Sequence, residues 1–148
     1  MAITPSPEWL HSRIVQGAGD AILYADRDGR ILLWNAGAEA MFGHAAAEAL
    51  GQSMDIIIPE RLRGRHWEGW EKVMKTGVTR YGKETLAVPA VRKDGSSLSI
   101  EFTIQLVRDD AGAILGAAAI IRDVTARWNR DRDLRRKLKE LETQLAGR

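Results

Sequence analysis

The sequence predicts an α+β fold, an antiparallel sheet with helices laid across one face. Three observations predict it. Residues 97–106 alternate: Leu98, Ile100, Phe102, Ile104 and Leu106 fall on one face, Ser99, Glu101, Thr103 and Gln105 on the other, the period of a half-buried strand. Turns that begin on or near aspartate and end on glycine, at 26–29, 92–95 and 109–112, join apolar segments at hairpin spacing and so favour antiparallel pairing. Between the two strand groups, apolar residues recur at helical spacing.

The elements follow in order. Ser6 can cap a helix with Pro7 at its first position, and Trp9, Leu10, Ile14 and Val15 recur at three and four until Gly17 and Gly19 stop it. This short amphipathic helix needs a surface to lie on. Residues 21–25 and 30–34 are strands around an Asp-Gly turn. Residues 35–42 form a short helix ending at Gly43, and 45–50 another ending at Gly51. The apolar run 55–58 is stopped by Pro59, residues 60–75 form the longest central helix, and Thr76-Gly77 ends it. Strands are expected at 84–91, 97–106 and 113–122. From Thr125 the chain is helical, and Leu134, Leu138, Leu141 and Leu145 form a seam spaced four, three, four, which fits pairing with a second chain.

Bulk properties narrow the function. The chain has 148 residues, 45% hydrophobic and 28% charged, enough for one domain with extra helices. The net charge of +2 makes no case for nucleic acid, although the last helix carries a basic excess. The absence of cysteine excludes disulfides, thiolate catalysis and cysteine-held metals. There is no signal-peptide pattern and no apolar run near the ~20 residues of a membrane span, so a cytoplasmic module is expected. No catalytic constellation, phosphate loop or kinase motif is present, so a non-enzymatic role is expected.

The ordered stretches Asp20-Ala-Ile-Leu-Tyr-Ala-Asp-Arg-Asp-Gly29, Ile31-Leu-Leu-Trp-Asn35, Glu39-Ala-Met-Phe-Gly43, Leu50-Gly51, Arg92-Lys-Asp-Gly95 and Ile121-Arg-Asp-Val-Thr125 resemble a PAS domain, the small sensory module of bacterial signalling proteins. The resemblance implies a five-stranded antiparallel sheet with helices across one face and a pocket between them. It divides the chain into an N-terminal cap helix at 1–18, a sensory domain at 19–125 and a C-terminal signalling and dimerisation helix at 126–148. The stretch Ile56-Ile-Ile-Pro-Glu-Arg61, then His66, Thr76-Gly77 and Arg92-Lys-Asp-Gly95, is similar to the haem-binding PAS domain of the oxygen-sensing histidine kinases of root-nodule bacteria. In that likeness His66 falls on the histidine that ligates haem iron.

The residues themselves place His66 on an apolar stripe with Leu62, Trp70 and Val73. Gly69 shares that side and lacks a side chain, so a flat ligand can approach there. Imidazole suits haem iron that must leave a site open for gas. A lone histidine on such a stripe is otherwise a packed core residue, and periodicity alone leaves both readings open. The resemblance puts Lys72 and Arg80 at the haem propionates and Tyr81, Ile100, Phe102 and Ile104 on the wall opposite. Leu86 stands where those sensors have an arginine within reach of the gas, and leucine donates no hydrogen bond. Oxygen affinity is then expected to be weaker, with carbon monoxide and nitric oxide as equal candidates. No methionine lies between Thr76 and Leu86 to give a sixth ligand, so five-coordinate haem b is expected. The resemblance also makes Asp123 and Thr125 the junction that passes a signal to the last helix. His11 and His44 are expected at the surface. The alternative is a module with flavin or no cofactor that dimerises through its terminal helices and relays a signal.

Overall fold

The computed structural model describes residues 3–79 and 86–147. Five strands form a single antiparallel sheet: β1 (Ala21–Asp26), β2 (Ile31–Trp34), β3 (Leu86–Val91), β4 (Ser97–Arg108) and β5 (Ile114–Asp123), in the spatial order β2-β1-β5-β4-β3. The chain therefore lays two strands at one edge, crosses through helices, and returns three strands that put β5 beside β1. Every pair is antiparallel, as the hairpin turns require.

The helices are α1 (Pro7–Gly17), α2 (Ala36–Phe42), α3 (Ala46–Ala49), α4 (Arg63–Thr76) and α5 (Thr125–Ala146). Ser6 caps α1 by accepting from the Trp9 N–H, with Pro7 in the first turn, as expected. Gly43 and Gly77 end α2 and α4 in the left-handed conformation. Two single 3-10 turns, Met54–Ile57 and Glu60–Leu62, flank Pro59 and lead into α4.

One face of the sheet is dry. Ala21, Leu23 and Ala25 of β1, Ile31 and Trp34 of β2, Leu98 and Ile100 of β4 and Ile121 of β5 are buried against Ala38, Phe42, Ala49, Met54 and Ile57. Burying side chains such as Leu23, Ile31 and Phe42 contributes about 1.5–3 kcal/mol each before the entropy cost of ordering them. Leu32 and Ile120, outside that core, remain about half exposed, at 56% and 49%.

The terminal helices behave differently. Neither α1 nor α5 buries a residue: Trp9 and Ile14 are 50% and 64% exposed, and the four seam leucines lie between 56% and 69%. The described residues leave most of the apolar side of α1 uncovered, although Asn35 holds its end. That side chain is wholly buried. Its Oδ1 accepts from the Ile22 and Ala38 N–H groups at 2.8 and 2.9 Å. Its Nδ2 donates to the Val15, Ala18 and Asp20 carbonyls. Asn35 thus caps α2 and ties the exit of α1 to β1.

Candidate functional site: the α4 helix and the strand-to-helix junction

The side of α4 that faces the protein is broader than a strict Leu62–His66–Trp70–Val73 stripe. Arg63, Trp67 and Met74 join it, because residues at three and four from one another share a face. Trp67 and Trp70 pack into the same apolar cluster as Ile100 and Phe102. Trp70, Val73 and Met74 meet Ile104, Leu106, Ile114 and Ala117 in a second cluster. The expected histidine helix and the expected apolar wall on β4 are therefore brought together.

His66 is half-buried and flanked by two indoles. Its ring lies 4.7 Å from Trp67, edge to face at 83°, and 6.1 Å from Trp70, stacked at 26°. Both indoles are anchored elsewhere. Trp67 Nε1 donates to Asp55 Oδ1 at 2.8 Å, and Trp70 Nε1 donates to the Arg27 carbonyl at 2.9 Å. Trp67 also lies over Gly29, where a Cβ would sit 2.1 Å from its ring; with φ +79° at the turn, only glycine fits. The imidazole Nδ1 is buried and has no hydrogen-bond partner. Burial pushes the His66 pKa below the usual histidine value, and the nearby Asp55 carboxylate opposes that shift. A neutral imidazole with an unsatisfied nitrogen is the form that can ligate a metal or accept a proton.

The other expected pocket residues lie as follows. Leu62 is half-buried; Gly69 is exposed, with nothing within 4 Å of where its Cβ would be; Lys72 is exposed. Ile100 is buried, and Phe102 and Ile104 are half-buried on the same face of β4. Leu86 opens β3 opposite Phe102. Arg80 and Tyr81 lie outside the described residues. His44 departs from expectation. It is half-buried, because the left-handed Gly43 folds the chain back so that the His44 ring meets Trp34 at 6.2 Å and its carbonyl accepts from Trp34 Nε1.

The junction after β5 is held by a compact set of hydrogen bonds. Asp123 Oδ1 accepts from the Thr125 N–H at 2.9 Å and from Thr125 Oγ1 at 2.5 Å. Thr125 Oγ1 in turn accepts from the Ser99 N–H at 2.9 Å, and the Val124 N–H donates to the Ser99 carbonyl. Arg92 reaches the other Asp123 oxygen at 3.4 Å, and Arg127 pairs with Glu101 at 2.9 Å. The start of α5 is thereby fixed to β4 and to the β3–β4 turn.

Sequence reasoning missed Trp67, Asp55, Arg27 and Asn35. Trp67 was discoverable from the second set of three-and-four spacings, Arg63, Trp67, Trp70 and Met74. The other three act through partners far away in sequence, which spacing does not report.

The family model of the PAS fold matches residues 15–129. The chain belongs to the PAS-fold family. This PAS domain is 35% identical over 118 residues to an uncharacterized protein of Azorhizobium caulinodans, covering 79% of this chain and 16% of that protein. It is 27% identical over 126 residues to the sensor protein FixL of Bradyrhizobium diazoefficiens, 85% of this chain and 24% of that protein. It is 26% identical over 105 residues to the oxygen sensor protein DosP of Escherichia coli, 71% of this chain and 13% of that protein. The chain spans a quarter or less of each of these relatives. The fold is shared with the PAS domain of a Colwellia psychrerythraea protein, at a TM-score of 0.69 and 24% identity over 79% of this chain and 96% of that one. It is shared also with an RNA-binding light-oxygen-voltage receptor, at 0.74 and 23% over 94% of this chain and 41% of that one. The domain is a sensory module of the kind found in signalling proteins, and no helix among the described residues is long and apolar enough to cross a membrane.

Proposed function

We propose that this PAS domain binds haem b through His66 and senses a diatomic gas or a redox change. One observation carries the reading: a half-buried histidine on α4, its pKa lowered by burial, with an unpartnered buried nitrogen. Leaving Nδ1 unsatisfied costs about 1–3 kcal/mol, a cost that ligation through Nδ1 itself would remove. The residues fit the group in kind: an imidazole donor on α4, apolar Ile100 and Phe102 in the cluster that Trp67 and Trp70 join, Ile104 in the neighbouring cluster, and the exposed cation Lys72 on the same helix. The resemblance adds Arg80 and Tyr81, which lie outside the described residues. Haem, when bound, supplies an iron that takes oxygen, carbon monoxide or nitric oxide.

The chain's own residues do the rest. Trp67 and Trp70 fix the imidazole plane. The β4 side chains exclude water. The resemblance puts Leu86 where an arginine would donate to bound gas, and leucine has no donor, so oxygen would not be favoured over carbon monoxide as strongly as in an arginine-bearing sensor. Asp123 and Thr125 transmit a shift of the sheet to α5, and a ligand moves that helix only as far as its affinities for two states differ. The exposed apolar sides of α1 and α5 support a homodimer formed by these helices, in a cytoplasmic signalling protein.

Adding haem to the purified chain tests the reading: a one-to-one Soret band is expected. A second reading, a dimerising relay module without haem, rests on Trp67 and Trp70 already filling the core beside His66. It predicts that added haem produces no saturable Soret band.

A further inference from the structure

We infer that Arg27, in the β1–β2 turn, couples α4 to β5 and so gives α4 a second route to the root of α5. Arg27 is linked to α4 twice. Its carbonyl accepts from Trp70 Nε1 at 2.9 Å, and its Nη2 donates to the Met74 carbonyl in the last turn of α4 at 3.4 Å. A guanidinium is favoured there by the negative end of the helix. Its Nη1 donates to the carbonyl of Ile114, the first residue of β5, at 2.8 Å. One planar fork thus joins the end of α4 to the start of β5, a reach that lysine's single ammonium does not reproduce.

Apolar packing runs beside this polar bridge, because Met74, Ile114 and Ala117 form one cluster with Trp70 and Val73. The receiving strand is stiff. β5 pairs with β1 and β4 along nearly its whole length, and Gly116 lets it press on β1 where a Cβ would meet the Ala25 carbonyl at 2.1 Å. β5 ends at Asp123, whose carboxylate holds the root of α5. Motion of α4 that moves Trp70 therefore pulls on the residue that grips the far end of the strand leading to α5. The coupling does not depend on a bound cofactor.

Hydrogen exchange of the full chain without cofactor tests this. Trp70→Phe keeps a ring but removes the donor to Arg27. It is expected to speed exchange of the amides at 114–117 by about three- to tenfold, the loss of a hydrogen bond or so, with the α2 amides unchanged. Arg27→Gln produces the same increase, and Trp70→Phe adds nothing to it. Arg27→Lys, which keeps the charge but not the fork, behaves as Arg27→Gln. The inference is overturned if Trp70→Phe leaves 114–117 unchanged. It is equally overturned if its effect is undiminished in either Arg27 variant, or if Arg27→Lys exchanges like the unaltered protein.

Discussion

Asn35→Ala removes a wholly buried amide that serves five backbone groups. Two losses dominate. The α2 cap is worth about 1 kcal/mol. The Ile22 N–H loses its 2.8 Å partner inside the structure, and an unsatisfied buried donor costs about 1–3 kcal/mol. The three carbonyls at Val15, Ala18 and Asp20 lose one donor each and are left out of the sum, which makes it a lower bound. The total is about 2–4 kcal/mol, a large share of the roughly 5–15 kcal/mol by which domains are stable. With a urea dependence of about 2 kcal/mol per molar, the unfolding midpoint falls by about 1–2 M. Circular dichroism in urea measures it. Asn35→Asp, which keeps the Oδ1 acceptor for both N–H groups but sets a carboxylate against three carbonyls, is destabilised as well. An Asn35→Ala midpoint within about 0.3 M of the unaltered protein would refute the view that this side chain ties α1 to the sheet.

Other outcomes follow from the same contacts. Because burial holds the His66 pKa below its unfolded value of about 6.5, the unfolded chain binds more protons between those two values. The His66 contribution is therefore complete above about pH 6.5 and is lost as pH falls through the lowered value; urea midpoints from pH 5 to 8 should flatten in His66→Gln, and parallel curves would contradict this. Thr125→Val breaks the Ser99–Thr125–Asp123 chain and should cost about 1 kcal/mol while speeding exchange of the Ser99 amide; an unchanged Ser99 amide counts against the junction. Leu138→Asp places a charge in the exposed seam and should convert a dimer to a monomer by light scattering, whereas an unchanged mass removes α5 as the main interface.

Much of the fold was legible because its signals are local. Ser6-Pro7, the Asp-Gly turn at 28–29 and the terminal Gly77 each dictate backbone geometry through their own chemistry, and the alternation from Leu98 to Leu106 fixes which face of β4 is dry. The inward side of His66 was legible for the same reason, since helical period sets direction. What spacing does not carry is partnership. The Trp67–Asp55 bond, the Arg27 bridge and the Asn35 cap each depend on elements brought together only by the sheet order β2-β1-β5-β4-β3. His44 was misplaced because one left-handed glycine reverses the chain after α2 and returns the ring to Trp34. The apolar residues of the terminal helices, Trp9, Ile14 and the four leucines of α5, remain at least half exposed among the described residues, which is why association is the expected use for these helices.

The axial ligation of His66→Ala tests the central claim most directly. The absorption spectrum of haem added to the unaltered chain and to His66→Ala is recorded in ferric and ferrous forms. A histidine-ligated Soret band that collapses in the variant, and returns with added imidazole, is the expected result. Full haem affinity with unchanged axial ligation in His66→Ala would contradict it.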